Sequence, residues 1–413
     1  MIAPGPIPGD LRPNPDWASL PLFDRKGWRR VRFGDVVKNV KETERDPAEA
    51  GIERFIGLEH LEPGSLHIHT WGNVADGITF TRRCRPGQVL FGKRWAYQRK
   101  VAVAGFDAVV SGDIYVFTSA GDRLLPEFLP FICLSERFFQ YAVETSAGSL
   151  SPRTNWKHLA EFEFNLPPLE QQRRIAELLW AVDEVKQLTS TQQDHAGLLR
   201  KTSLLNIFSK LENKYPKKLI RDLGEVQLGR QRAPKYTKGL HPKPYLRVVN
   251  VLDGQLDLKD VLEMDFDDRD FVRYRLLPGD ILVTEGDITS PYNVGRSAMY
   301  HGETSDCCFQ NTLIRFRVND LLVPDYAQFA LQNALYRGVF AAVASTTTVT
   351  HLGVERFGTV KIPVPPLDVQ QEVSKKLFDL ISLVTVAKEH TEQTKTLLSQ
   401  FIQLLLGETD DNQ

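Results

Sequence analysis

The 413-residue chain has only four cysteines and three methionines, and its charges nearly cancel, 51 Lys and Arg against 52 Asp and Glu. Each shortage excludes something. Cys84, Cys133, Cys307 and Cys308 have no C-x-x-C spacing. That argues against a zinc site and against a secreted disulfide framework, and favours an intracellular protein with reduced thiols. No apolar run reaches the roughly 18 residues of a membrane span, so no membrane partner is expected and the cytoplasm is the expected compartment. There is no Walker loop, no G-x-S-x-G, no H-E-x-x-H and no glycine-rich cofactor fingerprint. His67 and His69 would share one face of a strand, but no third ligand accompanies them, so no metal is expected. A net charge of −1 supplies no global field to attract nucleic acid. Residues 1–27 also lack an apolar run; their prolines (Pro4, Pro6, Pro8, Pro13, Pro15, Pro21) give a loosely ordered arm rather than a signal peptide.

What the sequence does have is repetition. "LPPLEQQ" at 166–172 returns as "VPPLDVQ" at 364–370, an offset of 198 residues. Without a gap, Pro167, Pro168, Leu169 and Gln172 meet Pro365, Pro366, Leu367 and Gln370; Ile175 then meets Val373, and Leu179 meets Leu377. Weaker echoes keep the same order upstream: "FGDV" (33–36) with "LGEV" (223–226), "RPGQVLF" (85–91) with "LPGDILV" (277–283), "LPEF" (125–128) with "VPDY" (323–326). The chain is a tandem duplication. It divides into the arm 1–27, a module at 28–165, a tail at 166–212, a second module at 213–363, a second tail at 364–407 and a short end at 408–413.

The tails are expected to be helices. Pro-Pro suits a first turn, where the missing N–H costs nothing. In the second tail Val373, Leu377, Leu380 and Val384 follow at coiled-coil spacing, and after Thr391 and Thr394 the stripe resumes at Leu398 and Phe401. The first tail shows Ile175, Val182 and Val185, then a polar stretch, then Leu199. About 40 residues make a helix of roughly 60 Å, too long for one module to cover, so each helix is expected to pair with the other. The modules read as mixed α/β, with β-rich runs such as "DIYVF" and "LIRFRV" and helices near 127–144 and 325–343.

This order of module, "LPPLEQQRRIAELL" helix, module and "VPPLDVQQEVSKKLF" helix resembles the specificity (S) subunit of type I restriction-modification systems, over nearly the whole chain from about residue 28. The resemblance implies two target recognition domains separated by two long antiparallel coiled-coil helices, in a pseudo-two-fold tandem repeat. It implies a non-catalytic subunit of a phage-defence complex that reads a bipartite, asymmetric target in double-stranded DNA. Two methyltransferase (M) subunits and restriction/translocase (R) subunits would be its partners, with S-adenosylmethionine, ATP and Mg used there and no cofactor in this chain. One departure is that Lys186 and Gln193 stand where the second stripe has Val384 and Thr391. An N-P-P-[YF] methyltransferase motif is absent, in keeping with a non-enzyme. The rival is a coiled-coil adaptor that reads no DNA, which leaves two basic α/β modules unexplained.

Charge is sorted locally. Thr81–Lys100 carries seven cations and no acid, Leu228–Asn250 six and no acid, and an acidic stretch follows at Asp253–Asp270. In "GKRWAYQRK" (92–100), Lys93, Arg94, Arg99 and Lys100 can neutralise phosphates, Gln98 and Arg99 have shapes that read adenine and guanine edges, and Trp95 and Tyr97 can pack on sugars or bases. In "GRQRAPKYTKG" (229–239) the candidates are Arg230, Gln231, Arg232, Lys235 and Tyr236. In "TSPYNVGR" (289–296) they are Ser290, Tyr292, Asn293 and Arg296. The hydroxyl-rich "GSLSPRTN" and "STTTVTH" add Ser151, Arg153, Thr347 and Thr348, which clamp phosphates or cap helices. For each stretch the plainer reading is a solvated surface loop. The Pro-Pro-Leu-x-x-Gln motifs either dock the M subunits or simply start the helices.

Overall fold

The computed structural model describes residues 25–233, 236, 239–287, 294–346 and 350–406. The chain forms two compact units: one runs to Thr189 and takes in the chain again from His390, the other is Ser190–Glu389.

In the first unit a four-stranded antiparallel sheet has the order Val37–Val40, Ile114–Ser119, Val89–Gly92, Val101–Val103. Its two central strands are apolar runs buried on both faces, which is why they do not alternate. One face packs on the short helices Leu129–Leu134 and Glu136–Glu144 through Phe33, Phe91, Phe117 and Phe138. A second sheet, ordered Gly72–Asn73, Arg54–Ile56, Ala108–Val110, Arg82–Cys84, encloses a smaller core around Ile56, Leu90 and Val110. Arg54–Ile56 and Ala108–Val110 run parallel. Arg29–Arg32 pairs with Glu163–Leu166, closing the module where the long helix begins.

The second unit repeats this plan. Gly224–Leu228, Leu313–Val318, Ile281–Thr284 and Ser297–Met299 form the antiparallel sheet in the same order. Pro242–Leu246 runs parallel to Cys308–Phe309 and antiparallel to Leu262–Asp265. Lys217–Leu219 pairs with Lys361–Pro363 ahead of the second long helix. The duplication read in short motifs is a duplication of topology.

The long helices are Leu169–Lys214 and Leu367–Leu406. Pro168 and Pro366 stand just before them, each carbonyl accepting the first helical bond, from Gln172 N at 2.9 Å and Gln370 N at 3.0 Å. The apolar stripes do not serve helix pairing alone. In the first unit Ile175, Leu179 and Val182 join Leu398 and Ile402 in the module's own core. In the second, Leu204, Phe208 and Leu211 join Val373 and Leu377. Val185, Leu380, Val384 and Phe401 are half-buried. Leu199 corrects the expected stripe: it is 53% exposed. At 3.6 residues per turn Leu199 lies well round the helix from Ile175, whereas Leu204 returns to that face. No helix among the described residues is long and apolar enough to cross a membrane.

Candidate nucleic-acid interface

In the first module the two sequence candidates come together. The Gly92–Lys100 hairpin is stitched to the 147–154 loop by Trp95 N donating to Pro152 O (2.9 Å) and Thr154 N to Lys93 O (2.9 Å). Trp95 and Arg99 adopt left-handed backbone, φ 53° and 56°, around the short turn Ala96–Gln98. Arg94 lies 4.1 Å over the Trp95 ring and donates to Ser151 Oγ at 2.8 Å. Asp113 binds Arg153 Nε at 2.9 Å and Arg94 Nη1 at 3.4 Å. Burial pushes the Asp113 carboxyl up, but the Arg153 hydrogen bond and the charges of both arginines outweigh it and hold the group below its ordinary value. Lys93 sits 5.1 Å from the Tyr115 ring, its ammonium pKa lowered by burial and then by repulsion from Arg82. Tyr97 is 59% exposed at the tip, and Gln98 is half-buried beside it.

Other cations of the first basic run are spoken for. Arg99 pairs with Glu136, and Lys100 Nζ donates to Leu58 O at 2.7 Å. Arg83 binds Asp107 (2.5 Å) and Arg85 binds Glu42 (2.6 Å), in each case through two nitrogens. A run without acids in sequence is thus partly neutralised by acids that the fold brings from elsewhere.

The second module does the same. Arg230 is 6% exposed, stacked 3.7 Å from Tyr236 and 4.8 Å from Phe266, and ion-paired with Asp270 at 2.6 Å. Its place is the core, not the surface. Arg247 pairs with Asp260 and Lys243 with Asp306, so acids of the 253–270 stretch and beyond fold back on the basic one. Gln231 and Arg232 remain exposed, and Arg296 is half-buried beside the Ser297–Met299 strand. The loop platform recurs: Gly286–Asp287 pairs with Thr350–His351, which pairs with Ser345–Thr346. His351 Nδ1 lies 2.8 Å from Glu285. Lys235, Ser290, Tyr292, Asn293, Thr347 and Thr348 lie outside the described residues.

The Pro-Pro-Leu motifs face two ways. Leu169 and Leu367 are 42% and 48% exposed, whereas Gln172 and Gln370 are fully buried. Gln172 Nε2 donates to Arg123 O and Pro167 O, both 2.8 Å, and its Oε1 accepts Leu125 N at 2.9 Å. Gln370 does the same with Leu321 O (3.0 Å), Pro365 O (2.8 Å) and Val323 N (2.8 Å).

Sequence reading missed one element, the turn that carries Gly64 in the first module and Gly254 in the second. The signal was present: "GLEHLEPGSLHI" (57–68) and "RVVNVLDGQLDL" (247–258) align without a gap. His60 Nδ1 accepts Gly57 N at 2.9 Å, and Asn250 Oδ1 accepts Arg247 N at 3.0 Å. No group of three or more His, Cys, Asp and Glu among the described residues is arranged to hold a metal.

With that geometry in place, comparison with known proteins is decisive. The family model for the type I restriction modification DNA specificity domain matches residues 26–196 and 256–396, well over half of the chain and once in each copy. The chain belongs to this specificity-subunit family. It is 26% identical over 208 residues to the type I restriction enzyme EcoDI specificity subunit of Escherichia coli, covering 47% of this chain and 44% of that one. It is also 26% identical over 166 residues to the EcoKI specificity subunit of E. coli strain K12 (40% and 35%). The aligned regions thus span less than half of these two relatives. The putative MjaX specificity subunit of Methanocaldococcus jannaschii is 22% identical over 297 residues (66% and 64%). In fold, the family member resembles a chain from a type I restriction-modification system solved to explain complex assembly and conformational transition. Their TM-score is 0.61 at 20% identity, over 93% of this chain and 97% of that one. A type I system S subunit from M. genitalium gives 0.54 at 14% identity, over 92% and 96%.

Proposed function

We propose that this specificity subunit reads a bipartite, asymmetric target in double-stranded DNA, one half-site per module, and scaffolds two M subunits and the R subunits of its complex. The observation that carries the reading is the same loop platform built twice, on the same topology, with different side chains. The first presents Arg94, Tyr97 and Arg153; in the second, His351 stands at the matching place, and the same module exposes Gln231 and Arg232. Equal frames with unequal contact residues suit two half-sites of different sequence. The partly neutralised basic runs suit a chain that binds DNA weakly alone and tightly once assembled.

In this reading the two long helices pair antiparallel as a coiled-coil spacer, and their length sets the gap between half-sites. Pro168, Leu169, Pro366 and Leu367 are exposed and available to the M subunits, whereas Pro167 and Pro365 are buried and serve the helix start. Methylation and cleavage, with S-adenosylmethionine, ATP and Mg, belong to partner subunits in the cytoplasm, and this chain is not itself an enzyme.

The test is co-expression with a methyltransferase subunit that co-purifies with it and mapping of modified adenines. A motif of two specified blocks separated by unspecified bases is expected. Modification by an active complex without such a motif overturns the reading.

A further inference from the structure

We propose that His67, Asp183 and Lys186 are positioning residues that seat the first recognition module on its long helix and so fix where its half-site is read. The proposal rests on the bipartite reading above and adds the residues that hold it in register.

Asp183 lies on the long helix between Val182 and Val185, and it is fully buried. Its Oδ2 is 2.6 Å from His67 Nε2 and its Oδ1 is 3.4 Å from Lys186 Nζ. Lys186 Nζ also donates to Gly64 O at 2.7 Å. The Gly64–His67 turn is therefore held at both ends by one helical turn. A buried charge cluster is a poor way to gain stability, since apolar replacements of similar size often do as well or better. In the repeat, Asp183 and Lys186 align with Ile381 and Val384, so apolar side chains are accepted at these helix positions. Retention of the charged cluster points to geometry as its product.

The turn connects the helix to the reading loop. Gly64 N donates to Arg99 O at 3.3 Å, Pro63 bridges Lys100, and Val103 N donates to Leu66 O at 2.8 Å. Those partners are the final residues of the Gly92–Lys100 hairpin and the strand after it. A shift of the turn on the helix moves the hairpin with it. Gly64 has φ 72°, a conformation other residues adopt only with strain.

In the second unit the matching turn is tied instead to its module's own helix, Pro324–Tyr336. Gly254, φ 83°, donates its N–H to Ser297 O at 2.9 Å, on the strand that follows that module's loop. The carboxylate now sits on the turn: Asp253 binds Gln332 Nε2 at 2.9 Å and the Tyr336 hydroxyl. The long helix reaches the turn through Tyr336, which Arg200 hydrogen-bonds. Both turns are anchored, each by different chemistry.

The experiment uses the complex assembled with its methyltransferase, the native half-sites, and a DNA library whose spacer varies by one and two base pairs. His67→Leu and Lys186→Met should keep the same half-site bases. Their preference for the native spacer should fall by roughly tenfold, the order expected for one charged hydrogen bond. His67→Gln, which keeps an N–H donor, should restore most of it. Asp183→Asn is the stronger variant; should it fail to fold, His67→Leu, with a 40% exposed side chain, carries the test. A variant that melts like the wild type and keeps full spacer preference overturns the proposal. Hydrogen exchange provides a second measure: amides of 64–67 and 99–103 should exchange faster in His67→Leu. Should the wild type show no bipartite motif, the functional reading falls, and unchanged exchange in His67→Leu would then overturn the seat as well.

Discussion

Gln172 and Gln370, 198 residues apart in sequence, make the same three side-chain hydrogen bonds, each to the two backbone strands that flank its helix start. The glutamine of the repeated motif is a buried clamp that ties the helix to the connection before its module's α-helical layer. Replacing Gln172 by Leu strands two carbonyls and one N–H in the interior. A loss of about 2–4 kcal/mol is expected. Gln172→Glu should cost at least as much, because its carboxylate would face two carbonyl oxygens. Chemical denaturation of the wild type and both variants checks this.

Arg230 and Arg232 are two residues apart and should behave as different kinds of residue. Removing Arg230 empties its slot beside Tyr236 and Phe266 and leaves the half-buried Asp270 without its partner, and about 2–3 kcal/mol of stability should be lost. Arg232→Ala should leave the melting temperature unchanged. In the assembled complex it should weaken DNA binding and lower the salt slope by about 1 if Arg232 meets a phosphate. Melting curves and binding at several salt concentrations separate the two.

Nothing in the sequence distinguishes those arginines. Fold class, the duplication and both long helices were legible, because they follow from local pattern and order; that the 92–100 and 147–154 loops meet was not, because it rests on backbone bonds between residues far apart in sequence. What was not legible depends on partners distant in the chain: Asp270 for Arg230, Glu136 for Arg99, Glu42 for Arg85. Leu199 failed for another reason, a stripe counted in steps of three and four that a 3.6-residue helix rotates away from its buried face. Gln172 looked like any polar residue at a helix start; only the carbonyls of Arg123 and Pro167 reveal its role.

Acid should loosen the first module's platform. The Asp113 carboxyl is held below its ordinary value near 3.8, so its contribution is present above that pH and lost as pH falls through the lower, folded value. Melting temperature should therefore drop below about pH 4, and Asp113→Asn should flatten part of that drop. A pH series from 3 to 6 on both proteins provides the measurement; identical slopes would remove Asp113 from the account.

The thiols should be inert in the native protein. Burial pushes Cys84, Cys307 and Cys308 up to about 12, and Cys133 well above its ordinary value. At neutral pH almost no thiolate exists to react. A thiol reagent should label none of the four within minutes, and all four after denaturation.

The spacer should lengthen on command. Residues around Gln193 are largely exposed on the first long helix, so an insertion there is tolerated. Four added residues, about one turn and 6 Å, should lengthen the unspecified gap in the methylated motif while leaving both half-sites unchanged. An unaltered gap would dissociate helix length from spacing.

The first module's core contains Leu398 and Ile402 alongside Ile175 and Leu179, which gives the order of synthesis a cost. The ribosome must complete Ser190–Glu389 before those residues emerge. At roughly 5–20 residues per second, that leaves the earlier-made module open along one edge for about 10–40 s. Over that interval the slot beside Ile175 is uncovered apolar surface, a target for holding chaperones. A chain ending prematurely near Glu389 should damage the module made first, not the one made last.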